Sequence, residues 1–211
     1  SDFSKDIHQR SRLLCFTQND HTGQTEFKIC PFLKRTQPHD ICTIRVKSLP
    51  LHKKAPKDKM KRILFVCHGN ICRSPMAEYI MKKLVKDAGM QDVFEIASAA
   101  TSTEELGNPV YPPAKQKLAE HGIACNGHRA RQVTIQDYHY YDIIVAMDSH
   151  NIRNMHKMFG GDPQHKINLL LNYTQERRDV ADPWYTNNFD ATWRDCMNGC
   201  SALLKMAMKD I

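Results

Sequence analysis

Within RILFVC (62–67), residues 63–67 form an unbroken apolar run that ends in cysteine, and a helical segment begins only seven residues after that cysteine. A run of this kind fits a strand buried on both faces, as at the centre of a parallel sheet. The segment that follows, SPMAEYIMKKLVKDAG (74–89), spaces Met76, Ala77, Ile80, Met81, Leu84 and Val85 along one helical face, and Gly89 is placed to end it. The alternation continues. VFEIASAA (93–100) reads as a second strand, and PPAKQKLAEHG (112–122) as a helix opened by proline and closed by glycine. YDIIVAMD (141–148) is a third strand followed by helical SHNIRNMHKMF, and KINLLL (166–171) is a fourth. FDATWRDCMNGCSALLKMAMKD (189–210) is a long final helix whose packing stripe takes in Phe189, Trp193, Met197 and Leu204. Strand–helix alternation of this kind implies crossover connections and an α/β fold, a parallel sheet with helices on both faces.

The chain has 211 residues and a net charge of +7. That charge suggests a polyanion partner until it is divided. Residues 1–59 carry 12 Lys+Arg against 6 Asp+Glu, whereas 60–211 carry 18 against 17, so the basic character belongs to the leader. A +6 leader gives at most weak, salt-sensitive binding to nucleic acid. Residues 1–59 show short apolar fragments such as FKICPFL and ICTIRV and no sustained helical period, and end in the Pro/Lys-rich SLPLHKKAPKDK. The expectation is a weakly ordered or peripheral leader of unknown function, to which ICTIRV could add an edge strand, then a domain over 60–211. Cys15, Cys30, Cys42 and His39 lack the C-x2-C pairing of a zinc site. No apolar run approaches the ~20 residues of a membrane span, and no signal peptide opens the chain. Eight scattered cysteines in a chain with its own core point to a reducing, cytoplasmic setting.

In a parallel α/β sheet, ligands bind beyond the carboxyl ends of strands, where helix N-termini face the crevice. Cys67 is at such an end, and Ser74-Pro75 opens the next helix. His68 to Arg73 can wrap backbone N–H groups around an anion, aided by the helix dipole. The ATP-type loop G-x-x-x-x-G-K-[ST] is absent. A thiol here, ringed by N–H donors and near a guanidinium, is favoured as the nucleophilic thiolate. Arg73 can grip two phosphate oxygens at once and stabilise a phosphoryl group in transfer. These parts fit a cysteine-dependent phosphatase.

CHGNICRS resembles the C-x5-R-[ST] signature of protein tyrosine phosphatases, and its place on the first strand of the domain is similar to the low-molecular-weight class. VCHGNICRSPMAE, SAATSTEELGNP, GHRARQVT, AMD and DPWY carry the resemblance across about 60–211. The resemblance implies a three-layer α/β sandwich with four parallel strands in order 2-1-3-4. It implies hydrolysis of phosphotyrosine on proteins, and of aryl phosphates, through a phosphocysteine intermediate, with no metal or cofactor. Cys67 is then the nucleophile and Arg73 the phosphate-binding residue, with inorganic phosphate or a similar oxyanion held by the loop His68, Gly69, Asn70, Ile71, Cys72 and Ser74. Ser74 would hydrogen-bond the Cys67 sulfur. Asn70 would hold a left-handed backbone, supported by Ser98 and His128. Asp182 matches the general acid, and Trp184 and Tyr185 match one aromatic wall of the cleft, where the family more often has tyrosine first. Glu104 falls on the opposite wall, often aromatic in the family. Cys72 matches a second cysteine able to form a reversible disulfide with Cys67.

Three rivals remain open. A protein-arginine phosphatase on the same scaffold tends to have threonine where this chain has Ile71. A thiol-dependent arsenate reductase needs a further cysteine pair in mid-domain, where only Cys125 lies. A non-catalytic phosphopeptide-binding module would not need Cys67, Arg73 and Asp182 together.

Overall fold

The computed structural model describes residues 15–19, 25–29 and 60–210. The chain divides into two compact units, Ser1–Leu49 and Pro50–Ile211. In the first, β1 (Cys15–Asn19) and β2 (Thr25–Ile29) pair antiparallel, with Cys15 opposite Ile29 and Asn19 opposite Thr25. The sequence reading placed no strand there, because five residues such as TEFKI alternate too briefly to stand out. The ICTIRV edge strand, the linker before Met60, the Cys/His grouping and the leader's degree of order all lie outside the described residues.

The second unit carries β3 (Lys61–Cys67), α1 (Arg73–Asp87), β4 (Phe94–Ala100), α2 (Pro112–Glu120), α3 (Ile135–Tyr140), β5 (Ile143–Ala146), α4 (Ser149–Phe159), β6 (Ile167–Leu169), α5 (Pro183–Thr186) and α6 (Phe189–Ala207). The sheet is parallel in the order β4-β3-β5-β6, which is 2-1-3-4 counted from β3, as expected. Two of these helices were not foreseen. α3 is short and announces itself only by a capping box, in which Thr134 accepts from the Asp137 N–H and Asp137 reaches back. α5 is a single turn opened by Pro183.

Strand β3 shows why the apolar run is unbroken. Ile63, Phe65 and Cys67 face one layer with α1, α2 and α6, while Leu64 and Val66 face a second layer with α3 and α4. Residues 63–66 are wholly buried, and each large apolar side chain so removed from water contributes ~1.5–3 kcal/mol. α1 buries Met76, Ala77, Ile80, Met81 and Val85 against the first layer. It ends as anticipated at Gly89, whose φ is +68°; the Gly89 N–H donates to the Lys86 carbonyl and the Met90 N–H to that of Val85. This is the double cap that a left-handed residue permits.

Helix α6 packs along α1, burying Trp193, Cys196, Cys200, Leu203 and Leu204. A Cβ at Gly199 would lie 2.4 Å from Leu170 Cγ, so only glycine lets α6 approach the turn after β6. Among the described residues no helix is long and apolar enough to cross a membrane. The sheet order brings the carboxyl ends of β4, β3 and β5 side by side. There the Thr101 N–H donates to the Cys67 carbonyl at 2.9 Å and the Met147 N–H to that of Val66 at 3.1 Å.

Candidate active site

Cys67 ends β3 with its side chain almost wholly buried, and α1 starts at Arg73. The loop between them is held by Asn70. Its φ of 58° is the left-handed conformation expected for it, and Asn tolerates this region better than most residues. The turn aims the Asn70 N–H at Cys67 Sγ, 3.3 Å away. The Asn70 amide donates to Ser74 Oγ at 2.9 Å and to Ser98 Oγ at 2.7 Å, and its Oδ1 accepts the Arg131 N–H at 3.2 Å. His128 Nε2 donates to the Asn70 carbonyl at 2.8 Å. The Ser98 hydroxyl donates to Glu78 Oε2 at 2.5 Å, and Glu78 is ion-paired with Lys82. Because Ser74 Oγ accepts from Asn70, its hydroxyl is left to donate to Cys67 Sγ at 3.0 Å or to the Ala99 carbonyl at 3.4 Å. The sulfur thus has the Asn70 N–H and the Ser74 hydroxyl within hydrogen-bond reach.

Arg73 is 4% exposed and bracketed by two carboxylates: Nη1 meets Asp148 Oδ2 at 2.6 Å and Nη2 meets Asp182 Oδ2 at 2.6 Å. Burial opposes its charge, but Cys67, Asp182 and Asp148 outweigh that and raise its pKa. Asp182 caps α5, its Oδ1 accepting the Trp184 N–H at 3.0 Å. The same carboxylate therefore orients the aromatic pair that follows it. Trp184 is 60% exposed and Tyr185 85%. Trp184 also leans on Tyr111, ring centroids 5.7 Å apart, and Tyr111 stacks on Phe189. Across the loop, Glu104 Oε2 is 3.0 Å from His68 Nε2, so the expected wall position carries a polar pair in place of an aromatic ring. Ile71 and Cys72 are buried with Ala130 beneath the loop, with Tyr111 and Phe189 packed against them. Burial, reinforced by the charges of Cys67 and Asp182, pushes the Cys72 thiol up to about 12. Gly69 approaches the segment after β4 so closely that a Cβ would meet Glu105 Cγ at 3.1 Å.

Cys67, Arg73, Asp182, Ser74, Asn70, Ser98 and His128 are therefore brought into one cluster. Sequence reasoning missed four neighbours: Glu78, Asp148, Tyr111 and Arg131. Asp148 was visible only as part of the motif AMD; in the structure it also caps α4. Glu78, four residues after Ser74, was hidden within the helical pattern of α1.

The site is thus a loop on the first strand of a parallel α/β domain, opened by a cysteine and closed by an arginine at the start of the next helix. Residues 62–211 match the family described as low molecular weight phosphotyrosine protein phosphatase, and the chain belongs to that family. It is 41% identical over 152 residues to the low molecular weight phosphotyrosine protein phosphatase of Gallus gallus, covering 70% of this chain and 96% of that one. The crystal structure of YfkJ from Bacillus subtilis aligns with a TM-score of 0.71 at 38% identity, over 74% of this chain and 99% of that one. The crystal structure of DARP, the drosophila arginine phosphatase, aligns with a TM-score of 0.63 at 34% identity, over 70% of this chain and 97% of that one.

Proposed function

We propose that this chain hydrolyses phosphotyrosine on proteins, and simple aryl phosphates, by two displacements at phosphorus. In the first, the Cys67 thiolate attacks phosphorus, the bond to the tyrosyl oxygen breaks, and Asp182 gives that oxygen its proton. In the second, water attacks the phosphocysteine, Asp182 takes a proton from the water, and the sulfur leaves, assisted by the Ser74 hydroxyl. Arg73 and the loop N–H groups bind the phosphoryl oxygens throughout. The observation that carries the reading is the bracket on Arg73. The cation held at the start of α1, six residues after Cys67, is ion-paired at 2.6 Å to Asp182, so acid and oxyanion receptor share one contact.

Inorganic phosphate is the expected ligand of the loop. Cys72 is proposed to capture an oxidised Cys67 as a disulfide, displacing water from a sulfenic acid. Five free, buried cysteines in the catalytic unit suit a reducing, cytoplasmic compartment. The chain is proposed to divide into a basic accessory leader over 1–59 and a catalytic domain over 60–211.

A second reading, hydrolysis of phosphoarginine, is favoured by the similarity to DARP. The apolar floor of Ile71, with Tyr111 and its contact to Trp184, favours a flat aryl group instead. Rates on one peptide bearing either phosphotyrosine or phosphoarginine separate the two. The phosphotyrosine form should be the better substrate, and the reverse order overturns the assignment.

A further inference from the structure

We infer that Asp195, on α6, is the positioning residue that holds Asp182 where it can protonate a leaving group; this rests on the reading of Asp182 as the general acid. Asp195 is 5% exposed, and two residues of the segment before Asp182, Arg178 and Ala181, bond to it or to its helix. Its Oδ2 accepts the Ala181 N–H at 3.0 Å and Arg178 Nη1 at 2.8 Å, and its Oδ1 accepts Arg178 Nη2 at 2.7 Å. Thr192, one turn earlier on α6, donates to the Ala181 carbonyl at 2.8 Å. Both backbone polar groups of Ala181 are thus tied to one helix, and the Val180 N–H is tied to the Met147 carbonyl at 2.8 Å.

Beyond Asp182 the bonding is different. Trp184, Thr186 and Asn187 bond back to Asp182 or Pro183, within the same short turn. The location of the Asp182 backbone is therefore set from its upstream side, through Ala181. The same helix also touches the other half of the site. Cys196, adjacent to Asp195, lies with its sulfur 3.9 Å from the Arg73 carbonyl, and α6 packs along α1. One rigid element refers both the acid and the phosphate-binding arginine to a common frame, and sites held in this way gain from orientation. Burial alone would raise the Asp195 carboxyl, but Arg178 and the Ala181 N–H keep it below the ordinary carboxylate range, so it stays charged in this role.

The test uses the leaving group as the reporter. The aryl oxygen departs in the first displacement, so kcat/KM registers its protonation. A dinitrophenol leaves without help, whereas a phenol like that of tyrosine, with a pKa of about 10, needs the proton. Aryl phosphates spanning this range should be assayed with the full chain, Asp182→Ala, Asp195→Asn and Thr192→Val. Asp195→Asn should lower kcat/KM by ~10–10²-fold for the tyrosine-like substrate, the cost of displacing a reacting group by about an ångström. It should leave the dinitrophenyl substrate and inhibition by inorganic phosphate unchanged. Thr192→Val, which frees only the Ala181 carbonyl, should steepen the leaving-group dependence in the same direction. It decides the matter if Asp195→Asn does not fold. An equal fall on every substrate, or a dependence that stays flat in the folded variants while Asp182→Ala steepens it, overturns the positioning role alone. A flat dependence in Asp182→Ala overturns the acid assignment and this inference with it.

Discussion

Arg73 Nη2 is 2.6 Å from Asp182 Oδ2, an ion pair between the first residue of α1 and the cap of α5, more than a hundred positions apart in the chain. The guanidinium is almost fully buried, and its other amino group is committed to Asp148. A planar fork can serve both carboxylates and still present N–H groups to a phosphate; a single ammonium cannot. Arg73→Lys should therefore lower kcat/KM for an aryl phosphate by ~10²-fold or more, of the order seen when an oxyanion donor is removed, and weaken inhibition by phosphate in parallel. Retention of wild-type phosphate inhibition would show that the fork is not the oxyanion receptor.

Asn70 separates backbone strain from side-chain bonding. It is wholly buried at φ 58°, and its amide bonds Ser74, Ser98 and the Arg131 N–H. Asn70→Gly and Asn70→Ala both lose those bonds, but only alanine must also carry a Cβ in the left-handed region, at ~1 kcal/mol. Urea unfolding should show the alanine variant less stable than the glycine variant, opposite to the order in a helix. The ordinary order, alanine the more stable, would mean the loop relaxes out of this conformation.

Acid should weaken the fold through Asp162. Burial raises its carboxyl, but the Ile167 and Lys166 N–H groups and the Tyr138 hydroxyl more than offset this and leave it lowered. A lowered folded-state pKa means that the native chain holds this proton less tightly than the unfolded one. The contribution is therefore complete above the unfolded value of about 3.9 and is lost as pH falls through the folded value. Melting temperature followed from about pH 5 to about pH 3 should fall less steeply in Asp162→Asn than in wild type. Equal slopes would remove Asp162 from the account.

What was readable in the sequence and what was not divides along a physical line. β3, the loop and α1 are contiguous, so the buried period, the αL-tolerant Asn70 and the helix start could all be read from one stretch. Ser98 and His128 entered through local motifs. Asp148 lay in the motif AMD but its partner could not be read there, because it meets Arg73 only when β5 is placed beside β3. Arg178 and Asp195 were invisible for the same reason: their pairing depends on where the segment after β6 crosses α6. Partner choice between distant charged residues is a property of the sheet order, and no spacing along the chain encodes it. Glu104 was readable as a position but not as a contact, since its partner, His68, lies across the loop.

The most direct measurement is hydrolysis of an aryl phosphate by wild type, Cys67→Ser and Asp182→Ala, compared at equal concentration. A serine hydroxyl in this loop lacks the nucleophilicity of the thiolate, so Cys67→Ser should show no turnover while still binding phosphate. Asp182→Ala should retain turnover lowered by ~10²–10⁴-fold, the usual weight of general acid catalysis. Full activity in Cys67→Ser would contradict the phosphocysteine mechanism outright.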